Sequence, residues 1–64
     1  MKNEIKLERV RRDISQGDLA ASVGVTRQTI YAIENNKFTP SIELALKIAK
    51  ELGMDVNDLF KLEE

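Results

Sequence analysis

The stretch SQGDLAASVGVTRQTIYAIE, residues 15–34, constrains the fold more than any other part of the chain. Leu19, Ala20 and Val23 share one helical face, and Ile30 and Ile33 share another, at the spacing of amphipathic helices. Both faces must turn into one core. Between the two runs stands Gly24, and glycine enters the left-handed conformation at a helix end without steric cost. Ser15 can cap the first helix, with Asp18 three residues on as the partner of a capping box and Ile14 opposite Leu19 as a hydrophobic staple. Thr26 can cap the second, with Val25 facing Ile30 in the same relation. Ala20 keeps bulk out of the corner, where two helices joined by a short turn approach closely. The pattern is a helix-turn-helix, with helices expected over Gln16–Val23 and Arg27–Glu34.

The flanking segments supply the rest of the core. A first helix is expected over residues 3–12, with Ile5 and Val10 inward and Lys2, Lys6, Arg11 and Arg12 outward. The apolar spacing leaves open whether Leu7 or Glu8 faces the core. After the central pair comes NNKFTP, a connector of turn-forming residues. Its Phe38 can serve as a partial lid on the core or as an exposed aromatic against a sugar-phosphate backbone. Ser41 caps a fourth helix over Ile42–Leu52, and Ile42, Ala45, Ile48, Ala49 and Leu52 form its apolar stripe, with Leu44 and Leu46 off-centre. Gly53 ends it. Asp55 with Asp58 then repeats the cap arrangement, Met54 and Leu59 form a staple, and a last helix is expected over residues 56–62. The terminal Glu63 and Glu64 read as a frayed, charged tail.

Sixty-four residues form one domain near the lower size limit for an unaided core. With no Cys and no His, the chain has no thiol or imidazole chemistry, no disulfide and no typical zinc set. No apolar run reaches the roughly 20 residues that span a bilayer, and MKNEIK lacks the apolar core of a signal peptide, so a cytoplasmic protein is expected. The net charge of -1 opposes indiscriminate binding to nucleic acid, but the charge is unevenly spread. Residues 1–12 carry +3 and residues 39–64 carry -3. A molecule polarised in this way can offer one face to DNA and keep its acidic part away.

With SQGDLA, VGVTRQTIYAIEN and PSIELALKIAKELG in place, residues 5–60 resemble the Cro and phage-repressor (Xre-type) helix-turn-helix family. The resemblance implies an all-α, compact five-helix, lambda-repressor-like domain whose third helix lies in the major groove of double-stranded DNA. It also implies a largely buried ion pair between Arg9 and Glu34, and a phosphate contact from Gln16. Asn36 stands where the family commonly has glycine, a mild departure because asparagine tolerates the left-handed conformation well.

Base readout in the major groove requires side chains that present paired donors and acceptors on a slender helix. With Ile30, Ile33 and Glu34 inward, the third helix leaves Arg27, Gln28, Thr29 and Tyr31 open near its N-terminal end. Gln28 can pair with adenine, Arg27 can hold guanine or grip a phosphate, and Thr29 and Tyr31 can touch a thymine methyl. Phosphate contacts are expected from Gln16, at the positive end of a helix dipole, and from Thr26, Asn36 and Lys37. For Lys2, Arg11 and Arg12, solvation and phosphate contact are equally open.

The paired carboxylates are explained by caps and a charged tail, and no nucleophile-base pair or Gly-rich phosphate loop is present, so catalysis is not expected. No cofactor, metal or small-molecule ligand is implied. The expectation is a transcriptional regulator, a repressor that binds a partly palindromic operator as a homodimer, with Leu46, Met54, Phe60 and Leu62 as candidate interface residues. An alternative use of the scaffold is a protein-interaction module, antitoxin-like or adaptor.

Overall fold

The computed structural model describes residues 1–62; Glu63 and Glu64, read above as a tail, lie outside the described residues. Five helices run in order: α1 (Ile5–Arg11), α2 (Gln16–Val23), α3 (Arg27–Glu34), α4 (Ile42–Leu52) and α5 (Val56–Leu59). Two short strands, β1 (Lys2–Asn3) and β2 (Phe60–Lys61), flank them and pair antiparallel, with Lys2 opposite Lys61 and Asn3 opposite Phe60. No helix among the described residues is long and apolar enough to cross a membrane.

Local chemistry accounts for most helix boundaries. Ser15 Oγ accepts the Asp18 amide N–H, Thr26 Oγ1 that of Thr29, Ser41 Oγ that of Leu44 and Asp55 Oδ1 that of Asn57. Each cap satisfies an amide that the helix itself leaves without a partner. The far ends close by a shared device. Amides of Ile14, Val25, Lys37 and Met54 reach back to the carbonyls of Arg9, Ala20, Ala32 and Ala49, and the residue before each amide has positive φ. These residues are Asp13, Gly24, Asn36 and Gly53. Such reach-back bonds satisfy carbonyls stranded at a helix end.

The core gathers Ile5 from α1, Leu19, Ala20 and Val23 from α2, Ile30 and Ile33 from α3, Ile48, Ala49 and Leu52 from α4, and Leu59 from α5. Ile14, Val25 and Met54, the outer members of the three expected staples, pack against this cluster. Burying each large aliphatic side chain stabilises the fold by about 1.5–3 kcal/mol, so every helix is held chiefly by its inward face.

Three expectations are corrected and one open alternative is narrowed. The first and last helices are shorter than residues 3–12 and 56–62, because Asn3, Phe60 and Lys61 belong to the terminal ribbon. Phe60 is extended, with φ -115° and ψ 133°, and ends α5. Val10, expected inward, is 60% exposed. Ile5, Glu8 and Arg9 take the inner face of the short α1, and Val10 lies well round the helix from them. Ile42, expected in the core stripe of α4, is 80% exposed, since it lies about a quarter-turn round the helix from the side on which Ile48 and Leu52 are buried and Leu44 packs against the core. Phe38, weighed as a lid, is half exposed and lies outside the packed cluster.

Candidate nucleic-acid interface

Helix α3 is locked at both ends. At its start Thr26 caps it and Val25 packs beneath; at its finish Glu34 turns inward and meets Arg9. The Arg9 guanidinium donates from Nε to Glu34 Oε2 at 2.9 Å and from Nη2 to Oε1 at 3.3 Å, a bidentate pair. Its remaining arm donates from Nη1 to the Ile14 carbonyl at 2.9 Å. Glu34 Oε1 also accepts from Gln16 Nε2 at 3.0 Å. The side chains are 11% and 3% exposed for Arg9 and Glu34, so the pair exchanges much of its hydration for these hydrogen bonds. One carboxylate thereby ties α1, α2 and α3 together.

With Ile30, Ile33 and Glu34 committed inward, geometry dictates what α3 shows to solvent. Arg27, Gln28 and Tyr31 are all exposed, at spacings that place them in one row along the helix. Tyr31 is 52% exposed although aromatic. Thr29 stands apart from that row: it is half-buried, and its hydroxyl shares a 3.1 Å hydrogen bond with that of Thr26 at the cap. Ala32 is half-buried and short.

The expected phosphate-contact residues fall at three places. Gln16 opens α2, half-buried, with its amide nitrogen held by Glu34. Thr26, exposed, precedes α3. Asn36 and Lys37 sit together, both exposed, in the turn that ends α3, where Asn36 has φ 59° and the Lys37 amide closes on Ala32 at 2.8 Å. Amides and polar side chains at helix starts and turns suit a phosphate oxygen, which accepts hydrogen bonds and is drawn to positive dipole ends.

The basic cluster of the first helix is partly neutralised from within. Glu8 accepts from Arg12 at 2.7 Å and from Arg11 at 3.2 Å, and its backbone carbonyl accepts a second bond from Arg12. The hydrogen bond from Arg12 is the main reason that the Glu8 carboxyl titrates below the usual glutamate range, and the charges of both arginines add to the effect against partial burial. This arrangement favours the reading of Arg11 and Arg12 as an internally paired surface.

One residue at this site escaped the sequence reading. Asn3, taken there as the start of a helix, donates from Nδ2 to the Ile33 carbonyl at 2.9 Å and to Asn36 Oδ1 at 3.4 Å. The local signal was only its other contact, in which Oδ1 accepts the Ile5 amide at 3.2 Å, an Asx turn at the helix entry.

Among the described residues no group of His, Cys, Asp and Glu side chains is placed to hold a metal ion. What the fold and the site define is a helix-turn-helix module that braces one polar helix against its core and leaves that helix's outer row free. A family model described as helix-turn-helix matches residues 5–59. The chain is 48% identical over 64 residues to an uncharacterised HTH-type transcriptional regulator of Methanocaldococcus jannaschii, covering all of this chain and 97% of that one. It is 52% identical over the same length to YgzD of Bacillus subtilis, also an HTH-type regulator and also covered to 97%. Among solved structures, the restriction-modification controller protein C.AhdI from Aeromonas hydrophila superposes with a TM-score of 0.82 at 26% identity, over 89% of this chain and 83% of that one. The protein belongs to the Xre-type helix-turn-helix family of DNA-binding transcriptional regulators.

Proposed function

We propose that the protein is a sequence-specific repressor that binds a partly palindromic operator as a two-fold homodimer, in the cytoplasm, with α3 in the major groove of each half-site. The observation that carries this reading is the exposed row of Arg27, Gln28 and Tyr31 on a helix fixed by the buried Arg9–Glu34 pair. Gln28 and Arg27 are the principal base readers, with bidentate geometry suited to adenine and guanine. Tyr31 and the methyl group of Thr29 add apolar contact. Gln16, Thr26, Asn36 and Lys37 grip the backbone on either side of the groove and set the register.

A single half-site offers too little contact for high specificity, and a dimer places two reading helices about 34 Å apart. Support for a dimer comes from exposed apolar side chains: Leu46 and Leu62, both candidates from the sequence, and Ile42 beside Leu46 on α4. Met54 and Phe60, the other two candidates, are only partly buried and pack against the core.

The deciding experiment is selection of bound duplexes from a random pool, followed by footprinting. The expected result is an enriched, partly symmetric site with two protected half-sites one helical turn apart. A pool that yields no enriched sequence overturns the operator reading and favours a protein-interaction module.

A further inference from the structure

The turn that ends α3 is held from the N-terminal end of the chain. Asn36 adopts the left-handed conformation, φ 59°, which asparagine enters more readily than most residues that carry a side chain, and Lys37 follows directly. Neither residue is buried. The turn's own closure is the bond from the Lys37 amide to the Ala32 carbonyl at 2.8 Å, and with so little packing a second hold narrows its geometry further. Asn3 supplies that hold at two points. Its Nδ2 reaches the Ile33 carbonyl on one side of the turn's start and Asn36 Oδ1 within the turn itself.

Asn3 can act as a fixed post because its own backbone is tied down. It lies in β1 opposite Phe60, the next amide, Glu4 N–H, donates to the Leu59 carbonyl at 2.9 Å, and its Oδ1 is engaged by the Ile5 amide. Ribbon, helix entry and recognition-helix exit thus converge on one side chain. Asn3 itself is half-buried, so its amide is partly shielded from competing water.

We propose that Asn3 is a positioning residue for DNA binding: by linking the terminal ribbon to Ile33 and Asn36, it holds the turn in the geometry from which Lys37 grips the DNA backbone. The proposal rests on the reading of Lys37 as a phosphate contact. It assigns the ribbon, absent from the sequence expectation, a role in that contact.

Asn3→Ser separates this role from helix capping. Serine can keep an acceptor for the Ile5 amide in the equivalent hydroxyl turn, but it is too short to reach Ile33 or Asn36. The test compares the wild type, Asn3→Ser, Lys37→Ala and the double variant, each shown folded by circular dichroism. Binding to a fluorescein-labelled mixed-sequence duplex is measured from about 50 to about 200 mM salt, because the slope of affinity against salt counts phosphate contacts. Lys37→Ala is expected to flatten the slope by about one, so that it loses about three- to fourfold less affinity than the wild type across that range. Asn3→Ser is expected to flatten it by a similar amount, and the double variant no further than Lys37→Ala alone.

A wild-type slope for Asn3→Ser beside a flattened slope for Lys37→Ala overturns the proposal and leaves the phosphate contact standing. An unchanged slope for Lys37→Ala overturns both. Additive slopes in the double variant overturn it as well, and so does an unfolded Asn3→Ser domain, which would make Asn3 a determinant of the whole fold.

Discussion

Arg9 and Glu34 meet at 2.9 Å across the interior face between α1 and the last residue of α3, and Gln16 completes the junction from the first residue of α2. The helix that carries the exposed row of Arg27, Gln28 and Tyr31 is therefore fixed in rotation as well as in position. A carboxylate this enclosed is stable only while its donors are present. Removing Arg9 by Arg9→Ala should cost about 3–5 kcal/mol of unfolding free energy in a urea titration, because Glu34 is left buried and unpaired. Replacing both, as Arg9→Met with Glu34→Leu, should recover most of that loss. A single variant as stable as the wild type would show that the pair is hydrated and of little consequence.

Gln28 lies in the middle of the exposed row. Gln28→Ala should leave the unfolding midpoint unchanged and relax specificity at one base position, with a loss of about 1–3 kcal/mol against the preferred base in competition binding. An unaltered preference profile would remove Gln28 from the readers and pass the role to Arg27 and Tyr31.

The two glycines of α2 and its end should respond in opposite directions. Gly24 has φ 77°, and an added Cβ would meet nothing within 4 Å, so Gly24→Ala suffers from backbone strain alone. Its expected cost is about 1–2 kcal/mol by thermal or chemical unfolding. Gly17 lies inside the helix with only Ser15 Oγ, at 3.9 Å, near the site of a Cβ. Gly17→Ala should stabilise the domain by about 0.4–1 kcal/mol, chiefly by restricting the unfolded chain.

Glu8 provides a pH signature. Its carboxyl titrates below the ordinary value of 4.5 in the folded protein, mainly through the hydrogen bond from Arg12, so the unfolded chain binds the proton more readily. Its contribution to stability is then complete above that ordinary value and disappears as pH falls through the lowered one. Glu8→Gln should flatten the acid side of the stability profile, with the two proteins converging below the lowered value. Added salt should shrink the difference, since Arg11 and much of Arg12 face solvent. Parallel wild-type and Glu8→Gln profiles from neutral pH to strong acid would show that Glu8 does not couple folding to protonation.

Local chemistry in the sequence determined where α2, α3 and α4 begin and end. Ser15, Thr26 and Ser41 each bond an amide three residues on, and Gly24, Asn36 and Gly53 tolerate the left-handed turn that closes a helix. Such signals span a few residues, so a linear reading captures them. The exposed row of α3 followed, because Ile30 and Ile33 leave little choice of face. The structure decided that Glu8 rather than Leu7 joins Ile5 and Arg9 on the inner side of α1, and that Val10 stays outside. In a helix of seven residues, Ile5, Leu7 and Val10 define no single stripe, and the charged Glu8 and Arg9 displaced Val10 only because Arg12, Arg11 and Glu34 were there to satisfy them. It also decided the ribbon and the reach of Asn3 to Ile33 and Asn36. Strands of two residues are too short to show an alternating pattern, and a hydrogen bond across thirty positions leaves no trace in local sequence.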